Sequence, residues 1–501
     1  MGSADMSSVF KTLAARLDKD PGTPVENATA SFWQDPPHSF ATQQSACLPE
    51  ETDVVIIGSG ITAISTAKHL LELQSSTKIS MLEARAVISG ATGRNGGHIK
   101  AVPWTDYYAL KEEYGKESAM RITKFRLAHL DALVKEADAL GEAGKVGLVR
   151  RVEGVSAVYD QEAWDLAKIK LEKWLEDFPE QRERWTVVEG AEALKVGHFL
   201  FNSEEYLTRL KELGIANAYG AIKGPSGAAW PYRFLGCILS QLLAGGQLSL
   251  ETNTPANEVR RSHSSTHPYE VVTSRGVVRA RHVIHCTNGY AAHLLPALRG
   301  KLWPLRGQMT VQAVPPEFPR VGDKRSWSTM WARGFDYITQ SPGEDGSLYL
   351  GGGFLQGGPE NDEDLGNADD SQLSAQCLKH LETVPSRAFV HGSGTKVVRK
   401  WTGIMGFTGD GLPLVDRVNR HLSGREDCDP GVGGEWIAAG WDGYGMVHCW
   451  LSGKALAIMV AGDKAGLRDW FPMDEYACTK ARLDKMSPGG ALERFLGRLE
   501  T

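Results

Sequence analysis

Ordered patterning begins at Asp53. Val54-Val55-Ile56-Ile57 is an unbroken apolar, β-branched run, as expected of a parallel strand buried on both faces. Gly58-Ser59-Gly60 interrupts it, and a helical pattern then runs from Ile61 to about Gln74. Lys78–Glu83 reads as a second strand. From Tyr107 to about Leu175 helical periodicity with charged faces dominates, broken around Val149–Tyr159 by an expected strand pair. Glu270–Ser274 and Val277–Thr287 flank a turn at Arg275-Gly276, and Trp303–Val314 and Phe335–Phe354 alternate as antiparallel strands do. Trp436-Ile437-Ala438-Ala439 is one more buried strand. It runs into the glycine-rich turn Gly440–Gly445, with a helix expected directly afterwards, to about Val460.

Ahead of Asp53, Val9, Phe10, Leu13, Ala14 and Leu17 fit one short amphipathic helix. Phe32, Trp33 and Phe40 punctuate a Pro/Ser/Thr-rich stretch from Pro21 to Cys47. Residues 1–50 are therefore read as an extension packed on the surface, with a lid over a site as the alternative. Gly357–Asp370, acidic and glycine-rich, is expected to be a solvated loop. No internal repeat is present.

The 501 residues, 42% hydrophobic and 23% charged, suit about two to four ordinary globular domains. Glycine is in excess, at 55 residues, as in chains with tight turns or with backbone pressed against a ligand. Lys+Arg 55 against Asp+Glu 61 gives a net charge of −6 with no basic stripe, which argues against a nucleic-acid partner. No apolar run approaches the ~20 residues of a membrane span. The seven cysteines (Cys47, Cys237, Cys286, Cys377, Cys428, Cys449 and Cys478) are scattered and odd in number, with no C-x-x-C pair. That usage points to a reducing compartment and to no metal site. With no secretory, myristoylation or peroxisomal signal read at either end, a cytoplasmic location is expected.

Gly58-x-Gly60-x-x-Ala63 lies between the first strand and the first helix, the context that gives this short pattern meaning. Gly58 permits a tight turn, Gly60 lets a pyrophosphate approach the backbone, and the small Ala63 allows close helix–strand packing. Ser59 lies between the glycines. Ile61 and Thr62 open the helix, whose free N–H groups and positive dipole end suit phosphate. Glu83 closes the second strand, where a carboxylate accepts hydrogen bonds from a ribose diol and would repel a 2′-phosphate. An adenine dinucleotide other than NADP is implied; a glycine-rich turn without ligand is the plain alternative.

Ala84-Arg85 follows, then Ser89-Gly90-Ala91-Thr92-Gly93-Arg94-Asn95-Gly96-Gly97-His98. So much glycine excludes an ordinary helix, in which each costs about 1 kcal/mol relative to alanine. A plain NAD domain continues here with a crossover helix. A glycine-rich strap instead suits an extended cofactor, FAD, with backbone passing beside its second half. In this reading Ser89 and Thr92 bond the diphosphate and Arg94 neutralises it; a surface loop is the competing reading. Gly440-Trp441-Asp442-Gly443-Tyr444-Gly445 offers a third element, a helix N-terminus that would stabilise negative charge at the N1/C2=O edge of a reduced flavin.

On these residues the chain resembles the D-amino-acid-oxidase-type FAD oxidoreductases, which include glycine, sarcosine and γ-glutamylputrescine oxidases. The resemblance runs from about Asp53 to Val460. It rests on Val54–Ala63 with Glu83-Ala84-Arg85, the strap Ser89–His98, Gly227-Ala228-Ala229-Trp230-Pro231, Ala280–Gly289, Leu305-Arg306-Gly307-Gln308 and Gly440–Gly453. The Gly93–Gly97 core is most similar to the glutamylputrescine-oxidase branch and its fungal relatives. The fold implied is an α/β, glutathione-reductase-like Rossmann FAD-binding domain plus an α+β substrate domain with a mainly antiparallel sheet. The first is expected from 51–105, 228–300 and 395–465, the second from 106–227 and 301–394, with a C-terminal tail at 466–501. The resemblance also implies that Val259, Thr287, Asn288, Gly289, Gly406, Asp410 and Met446 join the cofactor contacts.

The activity it implies is hydride transfer from the carbon beside an amine to flavin N5, release of the imine, and reoxidation by molecular oxygen to hydrogen peroxide. Gly403–Asp416 lacks the cysteine through which some members attach flavin, and Arg94 stands where others use a histidine, so FAD is expected to be non-covalent. Val447 occupies the place of the lysine that holds the substrate carboxylate in sarcosine oxidases, which argues against a simple α-amino acid.

Substrate-side candidates follow from the same reading. His98, where the strap reaches the flavin ring, would position or deprotonate the amine, or else bond backbone. Trp230 sits in the turn entering the FAD domain. Trp331, Arg333 and Tyr337 are expected on one face of a strand. Tyr444 and Trp441 form the opposite wall or pack in the core, and His448 and Cys449 are read as packing. Three other functions stay open: a flavin dehydrogenase with a non-oxygen acceptor, a specialised-metabolite flavoenzyme acting on a non-amine, and a non-catalytic flavin-binding partner.

Overall fold

The computed structural model describes residues 11–189, 203–355 and 362–490. Its strands begin with β1 (Glu51–Ile57), β2 (Ile79–Leu82), β3 (His98–Ile99), β4 (Arg150–Val158), β5 (Thr186–Glu189) and β6 (Gly220–Ala228). They continue with β7 (Leu248–Glu251), β8 (Ala256–Arg261), β9 (Tyr269–Thr273), β10 (Gly276–His285), β11 (Leu302–Ala313) and β12 (Arg325–Met330). The last are β13 (Phe335–Gln340), β14 (Leu348–Gly352), β15 (Lys396–Thr408), β16 (Leu414–Arg417) and β17 (Gly434–Ala439).

Two sheets contain them. In the first, β17, β10, β1, β2 and β7 lie side by side and parallel. β16 adds antiparallel to β17, and the β9–β8 hairpin pairs antiparallel with β10. β1 shows why this strand must be central. Val54 and Ile56 point into a core shared with the Ile61–Leu73 and Cys449–Ala461 helices, while Val55 and Ile57 point into the layer of β8 and β9. The two helices meet closely: a Cβ on Gly453 would lie 2.6 Å from that of Ser65.

The second sheet runs β15-β11-β14-β13-β12-β4-β6-β3, with β5 also on β6. Only the β12–β4 pairing is parallel among these. Its outer face carries Val155, Ala157, Trp327, Ile338 and Leu350 against the Ala375–Ala388 helix. Its inner face carries Met309, Val311, Tyr349 and Trp401, which join the main core shared with the first sheet.

Several expectations are corrected. The strand pair around Val149–Tyr159 is the single strand β4, whose partners β6 and β12 are remote in sequence. The helix after the last glycine turn starts only at Cys449, because a 3-10 turn, Gly445–Val447, comes first. The acidic loop is not simply solvated: Asp364 and Asp370 are buried, the first paired with Arg306 and the second with Arg85.

Nor does the extension merely lie on the surface. Leu13 and Leu17 bury against Trp303, Leu305 and Leu365. Further on, Ser31 Oγ donates to Gly93 O at 2.7 Å and Trp33, 2% exposed, donates from Nε1 to Asn95 O. Val9 and Phe10, residues 357–361 of the acidic segment and 491–501 of the tail lie outside the described residues. No helix among the described residues is long and apolar enough to cross a membrane.

Candidate active site

The carboxyl ends of β1 and β10 build one edge of the site. Gly58 adopts φ +107°, and a Cβ there would lie 2.7 Å from Cys286 O, so only glycine fits the turn. Beside it, Glu83 Oε2 accepts from the Ser59 hydroxyl at 2.6 Å and from Ser59 N at 3.2 Å; Glu83 Oε1 accepts from Arg85 N at 3.0 Å. This fixes a carboxylate at the end of β2. Gly60 caps the following helix, and Thr92 Oγ1 of the strap accepts from Ile61 N at 3.0 Å. Thr62 and Ala63 are buried within the first turn.

Two hydroxyls at this edge, Ser89 Oγ and Thr287 Oγ1, are buried without a hydrogen-bond partner among the described residues. A buried hydroxyl left unpaired is destabilising, so both suit an acceptor supplied by a ligand. Gly90, between Ser89 and Thr92, has open space where its Cβ would be. The donor set, the fixed carboxylate and the pressed backbone together fit the diphosphate and ribose of a dinucleotide. Asn288, at φ +46°, accepts from Gly440 N through Oδ1 at 3.0 Å. Gly289 and Gly406 allow this close approach: a Cβ on Gly406 would sit 2.4 Å from Asn288 Oδ1.

The two arginines of the strap region also bind the protein itself. Arg94 donates to the carbonyls of Ser89 (2.7 Å), Thr29 (2.8 Å) and Thr402 (2.8 Å), which tie strap, arm and β15 together. Arg85 pairs with Asp370 and donates to Val25 O. The recorded bonds of both guanidiniums go to protein oxygens. The Asp410 carboxylate is likewise bound by Arg482 at 2.6 and 3.0 Å, and Val259 is a core residue of the β8 layer beside Ile57 and Leu82.

The far end of the strap meets the second sheet. Gly96 passes over Tyr337, whose Cε2 would be 2.8 Å from a Cβ there, and Thr339 Oγ1 donates to Gly96 O at 2.7 Å. Gly97, at φ +71°, lies against Ala229 O, and its N–H donates to Asn95 Oδ1 at 2.7 Å. His98 follows on β3, its Nε2 2.8 Å from Ser326 Oγ on β12. β3 packs against the Gly445–Val447 turn, and Asn95 Nδ2 approaches Met446 Sδ at 3.9 Å. Strap, glycine turn and inner sheet face therefore converge on His98 and Tyr337. Burial, and then the nearby Lys100, hold the His98 imidazole well below its ordinary range; burial pushes the Tyr337 phenol up.

On the other flank, Gly443 (φ +81°) and Tyr444 shape the turn. The Arg126 guanidinium lies 5.2 Å from the Tyr444 ring centroid. Arg126 pairs with Asp106 and donates to His448 Nε2 at 3.1 Å, and His448 Nδ1 donates to Tyr444 O at 3.0 Å. His448 is thus a link in a buried network behind Tyr444. A small cavity lined by Ala101, Pro103, Asp106, Arg126 and Tyr444 opens beside it.

Two substrate-side expectations change. Trp331, Arg333 and Tyr337 do not share a face, because Trp331 and Arg333 lie in the turn between β12 and β13. Trp331 stacks on Tyr159 at 4.5 Å and donates to Asp336 on the outer side, and Arg333 is exposed at the tip. Trp230, 9% exposed, is pinned beneath the N-terminal arm, donating from Nε1 to Trp33 O at 2.7 Å with Arg233 over its ring. Lys100, not singled out in the sequence, lies two positions after His98 and so on the same side of an extended strand. Among the described residues no group of three or more His, Cys, Asp or Glu is arranged to hold a metal ion.

The model of the FAD dependent oxidoreductase (DAO) family matches residues 53–459. The chain is 23% identical over 451 residues to the gamma-glutamylputrescine oxidoreductase of Escherichia coli, covering 87% of this chain and 89% of that protein. Its fold is similar to that of glycine oxidase from Geobacillus kaustophilus, with TM-score 0.63, 17% identity, and 86% and 99% of the two chains covered. Iminodiacetate oxidase from Chelativorans sp. BNC1 superposes with TM-score 0.62 at 17% identity, covering 84% and 98%.

Proposed function

The chain belongs to the family of FAD dependent oxidoreductases, and from that premise we propose that it oxidises the C–N bond of an amine and passes the electrons to molecular oxygen. When bound, FAD would supply hydride-accepting chemistry for oxidation of the amine to an imine, with oxygen as the acceptor and hydrogen peroxide as the product. The names of the similar proteins point to amines and amino acids as the substrate class.

One observation carries the reading. The strap runs from Thr92, bonded to the first N–H of the Ile61 helix, to His98, bonded to Ser326 of the second sheet. A cofactor held by its phosphates at the first point would reach towards the second. The parallel sheet is then the glutathione-reductase-like FAD-binding domain and the antiparallel sheet the substrate domain. Glu83 would accept from the ribose diol, while Ser89, Thr287 and the N–H groups of Gly60 and Thr62 would hold the diphosphate, the Ile61 N–H being taken by Thr92 Oγ1. Gly96, Gly97 and the Gly440–Met446 turn border the ring, His98 and Tyr337 orient the amine, and Tyr444 closes the opposite side. Arg85 and Arg94 act one step back, by fixing the strap.

The visible spectrum of the purified protein, before and after acid precipitation, tests the cofactor mode. A two-band flavin spectrum that moves wholly to the supernatant is expected; colour kept in the pellet would make the linkage covalent. Anaerobic addition of amines should bleach the flavin, and air should restore it while peroxide accumulates. Bleaching that air does not reverse would make the protein a dehydrogenase with another acceptor. A protein that neither carries nor takes up FAD would overturn the reading.

A further inference from the structure

Glycine-rich backbone does not order itself, because glycine loses more conformational freedom on folding than any other residue. The strap is accordingly held from outside. Each carbonyl from Gly93 to Gly97 accepts a hydrogen bond from beyond the strap. Arg94 O accepts from Trp401 Nε1 of β15 at 2.8 Å, Gly96 O from Thr339 Oγ1 of β13 at 2.7 Å and Gly97 O from Ala229 N at 2.8 Å. The remaining two belong to the N-terminal arm. Gly93 O accepts from Ser31 Oγ at 2.7 Å and Gln34 Nε2 at 3.1 Å, and Asn95 O accepts from Trp33 Nε1.

These two carbonyls lie between the ends of the strap. Asn95 links them, its Nδ2 donating to Thr92 O at 2.9 Å and its Oδ1 accepting from Gly97 N at 2.7 Å. Thr92 in turn accepts from the first N–H of the Ile61 helix. The arm is built to present its donors rigidly. Ser31 Oγ accepts from Trp33 N at 3.2 Å and so caps the 3-10 turn Phe32–Gln34. The Trp33 ring packs 4.3 Å from Tyr349 and 5.2 Å from Trp230 between centroids, and Trp33 O accepts from Trp230 Nε1 at 2.7 Å. An indole has one N–H and no acceptor, so a packed ring fixes where that donor points. Just before the turn, Thr29 N donates to Asp370 O at 2.8 Å and Thr29 Oγ1 accepts from Thr402 N at 2.9 Å. The described arm, residues 11–50, adds no strand to either sheet; what Ser31–Gln34 brace is the strap.

We propose that Ser31, Trp33 and Gln34 are positioning residues of the cofactor site, which hold the strap in place beside bound FAD and slow the cofactor's release. They act through Gly93 and Asn95 rather than on the cofactor itself. The proposal rests on the strap bordering FAD, and is independent of which substrate is oxidised.

Two measurements test it. The first is the rate at which the holoenzyme releases FAD on dilution, read by the rise of free flavin fluorescence. W33F keeps a ring and removes the N–H, and S31A/Q34A removes both donors to Gly93 O. Each should release FAD about 5-fold faster, as for the loss of one hydrogen bond, and the triple variant about 25-fold faster. L17A is the control, since Leu17 packs in a separate cluster with Trp303 and Leu305. It should lower the urea midpoint and leave FAD release unchanged. The second measurement is amide hydrogen exchange of the parent protein, with apoprotein taken from riboflavin-starved cells, so that it holds whether or not the flavin is covalently attached. Binding and ordering are reciprocal, so FAD should slow exchange across residues 29–35 and leave residues 11–18 unchanged. Parent-like release from both W33F and S31A/Q34A, or equal acceleration by L17A, would overturn the proposal. Protection of the strap, residues 89–98, without protection of residues 29–35 would do the same while leaving the strap beside FAD. If FAD protects neither, the strap does not border the cofactor and the earlier placement falls along with the proposal.

Discussion

The Arg85 guanidinium and the Asp370 carboxylate meet face to face, with two N–H groups at 2.9 and 3.1 Å from the two oxygens, and both residues are buried. Asp370 O also accepts from Thr29 N, Thr29 Oγ1 and Thr402 Oγ1 at 2.8–3.0 Å. One residue thus joins the strap, the N-terminal arm, β15 and the end of the acidic segment.

Removing one partner of that pair leaves a buried charge uncompensated. D370A should destabilise by about 3–5 kcal/mol, and the double change R85M/D370L should recover only part of that, because Arg94 Nε also lies 3.5 Å from Asp370 Oδ2. Urea unfolding of both variants checks this, and a D370A loss below about 1 kcal/mol would mean the pair is screened by water.

At Gly58 the constraint is backbone against backbone: a Cβ added there would lie 2.7 Å from Cys286 O, and φ is +107°. G58A should cost about 1–3 kcal/mol in strain and push β1 and β10 apart at the edge assigned to the cofactor. Purified G58A is expected to carry well under half the parent's flavin per chain. A full flavin complement would show that the turn does not border FAD.

Ser89 and Thr287 offer a test whose sign depends on the cofactor. Their hydroxyls lack a partner among the described residues, so S89A and T287A should leave the apoprotein's stability unchanged or slightly raised. In the holoenzyme each should weaken FAD binding about 5-fold, the equivalent of about 1 kcal/mol per hydrogen bond. Urea unfolding of the apoprotein reads the first arm and flavin fluorescence on titrating it with FAD the second; destabilised apoprotein would indicate that the hydroxyls pair internally.

Lys100 makes stability depend on pH. Burial holds it at about 7, against 10.5 for an exposed lysine. Below pH 7 folded and unfolded chains both carry the proton, and the folded chain bears the penalty of a half-buried charge. Between pH 7 and 10.5 the unfolded chain binds more protons, so this contribution to stability rises with pH. His98 and Tyr337 stand on the same sheet face; burial lowers the first and raises the second, so both stay neutral from pH 7 to 9. Arg126 and Asp106, beside the neighbouring cavity, are paired with each other. K100M should therefore be more stable than the parent at pH 6.5, with the difference shrinking by pH 9, as read from urea midpoints at constant m-value. A difference independent of pH would mean the ammonium is solvated.

Local chemistry was legible in the sequence wherever the cause was local. The apolar run Val54–Ile57, the turn at Gly58–Gly60, Glu83 at a strand end and the glycine-rich strap each follow from backbone freedom, side-chain period or a short spacing, and these determined the cofactor class. Arg94 could be read only as a cation near phosphate, because its three carbonyl partners lie on the strap, on the arm at Thr29 and on β15 at Thr402. Asp370 in an acidic stretch looked solvated for the same reason: its partner stands 285 residues away. Lys100 shows the division most clearly. Alternation along β3 puts it beside His98, but its contacts with Ser156 of β4 and Ser328 of β12 come from strands brought together by register. Residue order was enough to specify which ligand the protein could cradle. Strand pairing settled which charges are matched, since the partners of a charge are neighbours that sequence spacing does not encode.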